Sequence, residues 1–112
     1  MRNLEEVIAE LPDLHRDDLE RWIGNALVEA AEEAGTAKLS ELQFARVRLI
    51  CTLRYDMDVE EETLPVVMDL LDQLHDTRAR LHTLSQAVLA QDEEVKAAVL
   101  QVVTEARRKR QG

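Results

Sequence analysis

The chain has 112 residues, 46% of them hydrophobic, yet it holds one Phe, one Trp, one Tyr, three Gly and two Pro. That composition suits a single small core packed by aliphatic side chains and excludes a sandwich or barrel of many short strands, which needs frequent turn residues. A net charge of −9 opposes binding to DNA phosphates or anionic lipid, and a single cysteine excludes an intrachain disulfide.

Reading from the N-terminus, Leu4, Val7, Ile8 and Leu11 follow helical spacing, with Asn3 as N-cap and Pro12 as the stop. The opening MRNLEEVIAEL lacks the basic start and apolar run of a signal peptide, and no apolar run approaches the roughly 20 residues that span a bilayer. A soluble, cytoplasmic protein without a membrane partner is expected. A second helix fits His15 to Ile23, with Leu19, Trp22 and Ile23 on one face and Gly24-Asn25 ending it. Asp13 or His15 lies at its entry, and Asp17 and Asp18 suit the positive end of its dipole.

Residues 26–39 form the least regular stretch. Leu27-Val28 reads as extended and Glu33-Ala-Gly-Thr36 as a turn, so a small hairpin, or wing, is expected. Ser40-Glu-Leu-Gln43 then has the pattern of a capping box, in which each end satisfies a free backbone donor. In the helix it opens, Leu42, Arg46, Leu49 and Leu53 run down one stripe. Phe44, Val47, Ile50 and Cys51 lie beside it, and Arg46, Arg48 and Arg54 emerge opposite. Being apolar around most of its circumference, this helix is expected at the centre, with Cys51 a packed core thiol.

Asp56-Met-Asp58 interrupts it. The next helix either begins near Glu60 with an early kink at Pro65 or starts at Glu62 or Thr63, which puts Pro65 in its first turn, where a missing N–H costs nothing. Val67, Leu74, Leu81 and Val88 then recur every seven residues, joined by Leu70, Leu71 and Leu84 and interrupted by Thr77 and Arg78. A helix of roughly 28 residues would be about 42 Å long, more than a domain this small can cover. Part of the seam should therefore be buried against a second copy, most simply in an antiparallel homodimer through Val67, Leu71, Leu74, Leu81, Leu84 and Val88. After Gln91-Asp92, Val95, Ala98, Val99, Val102 and Val103 make a short last helix ending in the basic tail Arg107–Arg110. The chain so divides into 1–58, a long helix over 59–91, and a helix with basic tail over 92–112.

No group in this sequence carries catalysis. His75 and His82 stand seven apart, two turns along one helix and too far for one ion, and His15 is remote in sequence. There is no Gly-rich phosphate loop and no nucleophile elbow, so neither enzyme activity nor a cofactor or metal is expected. What stands out is charge order: between Arg54 and Arg78 no basic residue occurs, while Asp56, Asp58, Glu60, Glu61, Glu62, Asp69, Asp72 and Asp76 do.

Short helix, turn, short helix, wing, core helix and long seam helix together resemble the winged helix-turn-helix of MerR-type regulators. Leu19-Glu-Arg-Trp-Ile-Gly-Asn-Ala-Leu-Val28 is similar to that family's Leu-Arg-Tyr-Tyr-Glu-x-x-Gly-Leu-Leu pattern, with Trp22 on an aromatic position and Leu27-Val28 on the apolar pair that begins the wing. Glu20 replaces an Arg of that pattern, Asp17 and Asp18 occupy the turn that approaches phosphate, and the wing carries one Lys and three acids. A MerR-like transcription factor is thus the alternative reading, opposed by those carboxylates. Over residues 4–90 the chain more closely resembles the chaperone-modulator family CbpM, in Leu49-Ile-Cys-Thr-Leu-Arg54, Leu64-Pro-Val-Val-Met-Asp-Leu-Leu-Asp-Gln-Leu-His75 and Arg78-x-Arg-Leu81. This resemblance implies a MerR-like fold, no catalysis, and binding to the J-domain of a CbpA-like co-chaperone that restrains its stimulation of DnaK. The eight acids from Asp56 to Asp76 would then meet the basic helix of the J-domain.

Overall fold

Asn3 sets the first helix. Its side chain accepts the Glu6 N–H (2.9 Å), and Glu6 Oε1 accepts the Asn3 N–H (3.3 Å), a complete capping box at the start of α1 (Leu4–Glu10). The computed structural model describes residues 1–111. These form two compact units, Met1–Leu70 and the residues from Leu71 onward. The fold is the mostly helical one expected, five α-helices with a small sheet.

In the first unit α1 stops before Pro12, and α2 (Arg16–Gly24) buries Leu19 and Trp22 completely. Ala26, in the left-handed region (φ 64°), turns the chain back so that Leu27 and Val28 donate their N–H groups to the Trp22 carbonyl at 2.9 and 3.1 Å. Leu27 and Val28 are therefore core residues of a helix-capping loop rather than the start of a strand, which begins only at Ala31. A strand of two residues, β1 (Arg2–Asn3), pairs antiparallel with β3 (Thr36–Leu39), which also pairs with β2 (Ala31–Glu33) to give the order β1-β3-β2. Ala34 and Gly35 both have positive φ (53° and 78°), as the tight turn joining two right-twisted strands requires.

Ser40 opens α3 (Glu41–Cys51) by accepting the Gln43 N–H, but the reciprocal half of the expected capping box is absent. Gln43 instead accepts the N–H of Glu29 (3.0 Å) and so ties the loop before the wing to α3. The helix is not apolar-packed all round. Phe44, Val47, Ile50 and Leu53, spaced by three, form its buried row, while Leu42 is 73% and Leu49 40% exposed. Nor do the arginines simply face solvent: Arg46 donates to the Leu27 carbonyl (2.6 Å), and Arg54 reaches Glu61.

The helix continues as a π-helical turn, Thr52–Asp56, and Asp58 takes a left-handed conformation (φ 54°) that breaks it. A 3₁₀ turn (Glu61–Thr63) leads into α4 (Leu64–Leu89), with Pro65 in the first turn as its chemistry demands. Leu64 and Met68 complete the core of the first unit.

In the second unit no residue from Leu71 to Gln111 is buried. The last helix, α5 (Glu93–Gln111), is not short but 19 residues long, and the basic stretch Arg107–Arg110 is part of it. Asp92 caps it by accepting the Val95 N–H (3.0 Å), with Glu93 and Glu94 in the first turn and Arg108, Lys109 and Arg110 in the last, each matching the helix dipole. Among the described residues no helix is long and apolar enough to cross a membrane.

Candidate protein-binding surface

Seven of the eight acids between Asp56 and Asp76 are exposed; Glu61 turns inward. Its Oε2 accepts the indole N–H of the fully buried Trp22 at 3.1 Å. Its Oε1 is shielded from water and meets two guanidiniums as ion pairs, Arg21 at 3.2 Å and Arg54 at 3.4 Å. Glu61 is thus a structural residue joining the entry of α4 to α2 and to the π-helical turn, not a docking acid. The sequence hid this because one acid among Glu60, Glu61 and Glu62 looks like its neighbours. The unpaired indole donor of a buried tryptophan was the available signal.

A second carboxylate is diverted in the same way. The Tyr55 hydroxyl donates to Asp18 Oδ2 while accepting the His15 N–H (3.3 Å), and Arg21 binds Asp18 Oδ1 at 3.0 Å. The His15 ring packs edge-on to Tyr55, with centroids 5.7 Å apart, and Trp22 lies on Tyr55 at 6.3 Å. Asp18 therefore does not stand out from the helix-turn-helix as a bare charge; Asp17 and Glu20 are exposed, Glu20 within reach of Arg16. The basic residues of α2 are occupied within the unit as well. Arg16 pairs with Glu5 and with Glu20, and Arg21 with Asp18 and Glu61. On the wing, Lys38 pairs with Glu33 at 3.5 Å. A helix whose two arginines are both paired with carboxylates, beside an exposed Asp17, offers phosphate little attraction.

The other acids stay accessible. In the first unit Asp56, Asp58, Glu60, Glu62 and Asp69 are exposed, four of them within the turn between α3 and α4. In the second, Asp72 and Asp76 are exposed on α4. Of the expected dimer seam, Leu74, Leu81 and Leu84 are 46%, 62% and 62% exposed, whereas Val67, Leu71 and Val88 are half-buried.

Cys51 is not a sealed core thiol. It is half-buried and lines a groove of about 160 Å³ between the α1–α2 turn and the end of α3. Burial, followed by the negative charges of Asp18, Asp13 and Asp56, pushes its thiol pKa up to about 11. Among the described residues no group of three or more His, Cys, Asp or Glu is arranged to hold a metal ion. No protein-family model, curated protein or solved structure matches this chain.

Two outcomes follow from the Glu61–Asp18 network. Glu61→Gln keeps an acceptor for Trp22 but removes the charge that holds two arginines; it should lower unfolding stability by about 1–2 kcal/mol. Glu62→Gln, one residue away and exposed, should change it by less than about 0.5 kcal/mol in the same urea titration. Burial and the bond to Asp18 raise the Tyr55 pKa well above its ordinary value near 10. A phenol whose pKa is raised by folding stabilises the fold below the unfolded value and loses that contribution as pH rises through the folded one. Because Tyr55 is the single tyrosine, phenolate absorbance should report its titration only above pH ~10, and Tyr55→Phe should flatten the alkaline fall in stability. Titration of folded protein at the free-tyrosine pKa would refute this.

Proposed function

We propose that this chain is a protein-binding regulator similar to CbpM, one that docks on the J-domain of a CbpA-like co-chaperone and restrains its action on DnaK. The observation that carries the reading is the division of charge in the first unit. The cations of α2 are tied up internally, while Asp56, Asp58, Glu60 and Glu62 project from the turn before α4. A basic protein surface is the natural complement of such a patch. Charge of this kind mainly sets on-rate and partner choice, leaving apolar contacts to fix affinity.

The regulator acts as a homodimer in this reading. A two-helix unit that buries nothing gains little from helix propensity alone and needs an apolar partner. Val67, Leu74, Leu81 and Val88 recur at heptad spacing along α4, with Leu70 and Leu84 beside them, as in a helix that packs on a second copy. Each leucine so covered contributes about 1.5–3 kcal/mol.

Titration with a J-domain protein of the same organism should show binding that weakens as salt rises. The double variant Asp58→Lys/Glu60→Lys should lower the association rate by about tenfold at low salt. Absence of binding at any salt would reject the function, and salt-independent binding would reject the acidic surface as its basis. In sedimentation velocity the protein should run as a dimer and Leu74→Asp/Leu81→Asp as a monomer in which the first unit, with its own core, stays folded; a monomeric parent protein would refute the seam.

A further inference from the structure

The groove beside Cys51 has apolar walls and an acidic rim. Leu11, Pro12, Leu14, Cys51 and Tyr55 line it, and the exposed Asp13 and Asp56 stand at its edge. Two backbone features keep it open. The tight turn in which the Leu14 N–H donates to the Leu11 carbonyl (3.0 Å) fixes one wall. The π-helical turn Thr52–Asp56 fixes the other, bulging at a place where α-helical winding would not. Arg48, the one cation on the lining, is exposed, with its guanidinium 5.1 Å from the centroid of the Phe44 ring, which Arg2 also approaches at 3.9 Å.

Three carboxylates, those of Asp13, Asp18 and Asp56, act electrostatically on the Cys51 thiol, which lines the groove. A volume of about 160 Å³ holds one long side chain. Apolar walls topped by carboxylates suit a side chain that is itself apolar along its stem and cationic at its end.

We infer that this groove receives one lysine or arginine side chain of the protein partner, its methylene stem against Leu11, Pro12, Leu14 and Tyr55 and its charge against Asp13 and Asp56. The inference rests on the proposed co-chaperone reading and places the anchor of that complex in the helix-turn-helix unit. Cys51 reports its occupancy. A bound side chain covers the thiol, whereas docking confined to the Asp58–Glu62 turn leaves it open.

The test uses the full-length protein with a J-domain protein and N-ethylmaleimide. At saturating partner, alkylation of Cys51 should slow at least about tenfold, since a filled pocket excludes reagent and water alike. Asp13→Asn/Asp56→Asn, both exposed positions, should weaken binding by about tenfold with an unchanged melting temperature. The matched neutralisation Asp58→Asn/Glu62→Gln should weaken it by no more than about threefold. Binding with unprotected Cys51 overturns the groove as anchor and leaves the co-chaperone reading standing. Protection of Cys51 with undiminished binding by the Asp13/Asp56 variant overturns the cationic occupant. No binding of the J-domain protein overturns both.

Discussion

The Glu61 carboxylate is the constraint on which the first unit depends. Trp22, the largest side chain of the core, is fully buried, and its indole N–H must find an acceptor or forfeit the hydrogen bond it had in water. Glu61 supplies that acceptor from a different element, 39 residues along the chain. Bringing a carboxylate to the core edge requires positive charge, which Arg21 of α2 and Arg54 of the π-helical turn provide. One polar cluster thereby fixes where α4 begins relative to the helix-turn-helix. It also explains the irregular backbone between the two helices. The π-turn and the left-handed Asp58 are what it takes to leave α3, reverse and present Glu61 to Trp22.

Local chemistry was readable from the sequence wherever a few adjacent residues decide the outcome. Asn3 and Ser40 are N-caps, Ala34-Gly35 is the hairpin turn and Pro65 lies in a first turn, because each follows from backbone donors or φ values within four residues. Long-range pairing was not readable. The β1 strand is two residues long and exists because Leu39 and Lys38 of β3 stand opposite it. Gln43 breaks the capping-box rule because Glu29 offers it a better use. Leu42 and Leu49 looked equivalent to Val47 and Ile50 by hydropathy. Only the direction of packing separates them, and the spacing Phe44-Val47-Ile50-Leu53 was the cue that outranked the Leu stripe.

The candidate site divides in the same way. Seven of the eight acids counted in the sequence are exposed, but counting does not say which carboxylate the fold consumes. Glu61 and Asp18 are consumed by aromatic hydroxyl and indole donors that lie far off in sequence. Their removal from the surface sharpens the reading. The acids that remain accessible are those of the turn before α4 and Asp69, Asp72 and Asp76 on it, and on α2 Asp17 and Glu20.

The two units also differ in what holds them. Among the described residues every buried side chain, from Val7 to Met68, lies in the first unit, together with the polar network around Glu61. From Leu71 to Gln111 no residue is buried, although α5 is capped by Asp92 and carries acids in its first turn and basic residues in its last. Cap and dipole terms amount to about 1 kcal/mol each and cannot hold two long helices with Leu74, Leu81, Leu84 and Leu100 in water. The first unit presents exposed carboxylates from a packed core, while the second leaves Leu74, Leu81, Leu84 and Leu100 exposed. The regulator proposed above, which works by occupying another protein's surface, uses both properties.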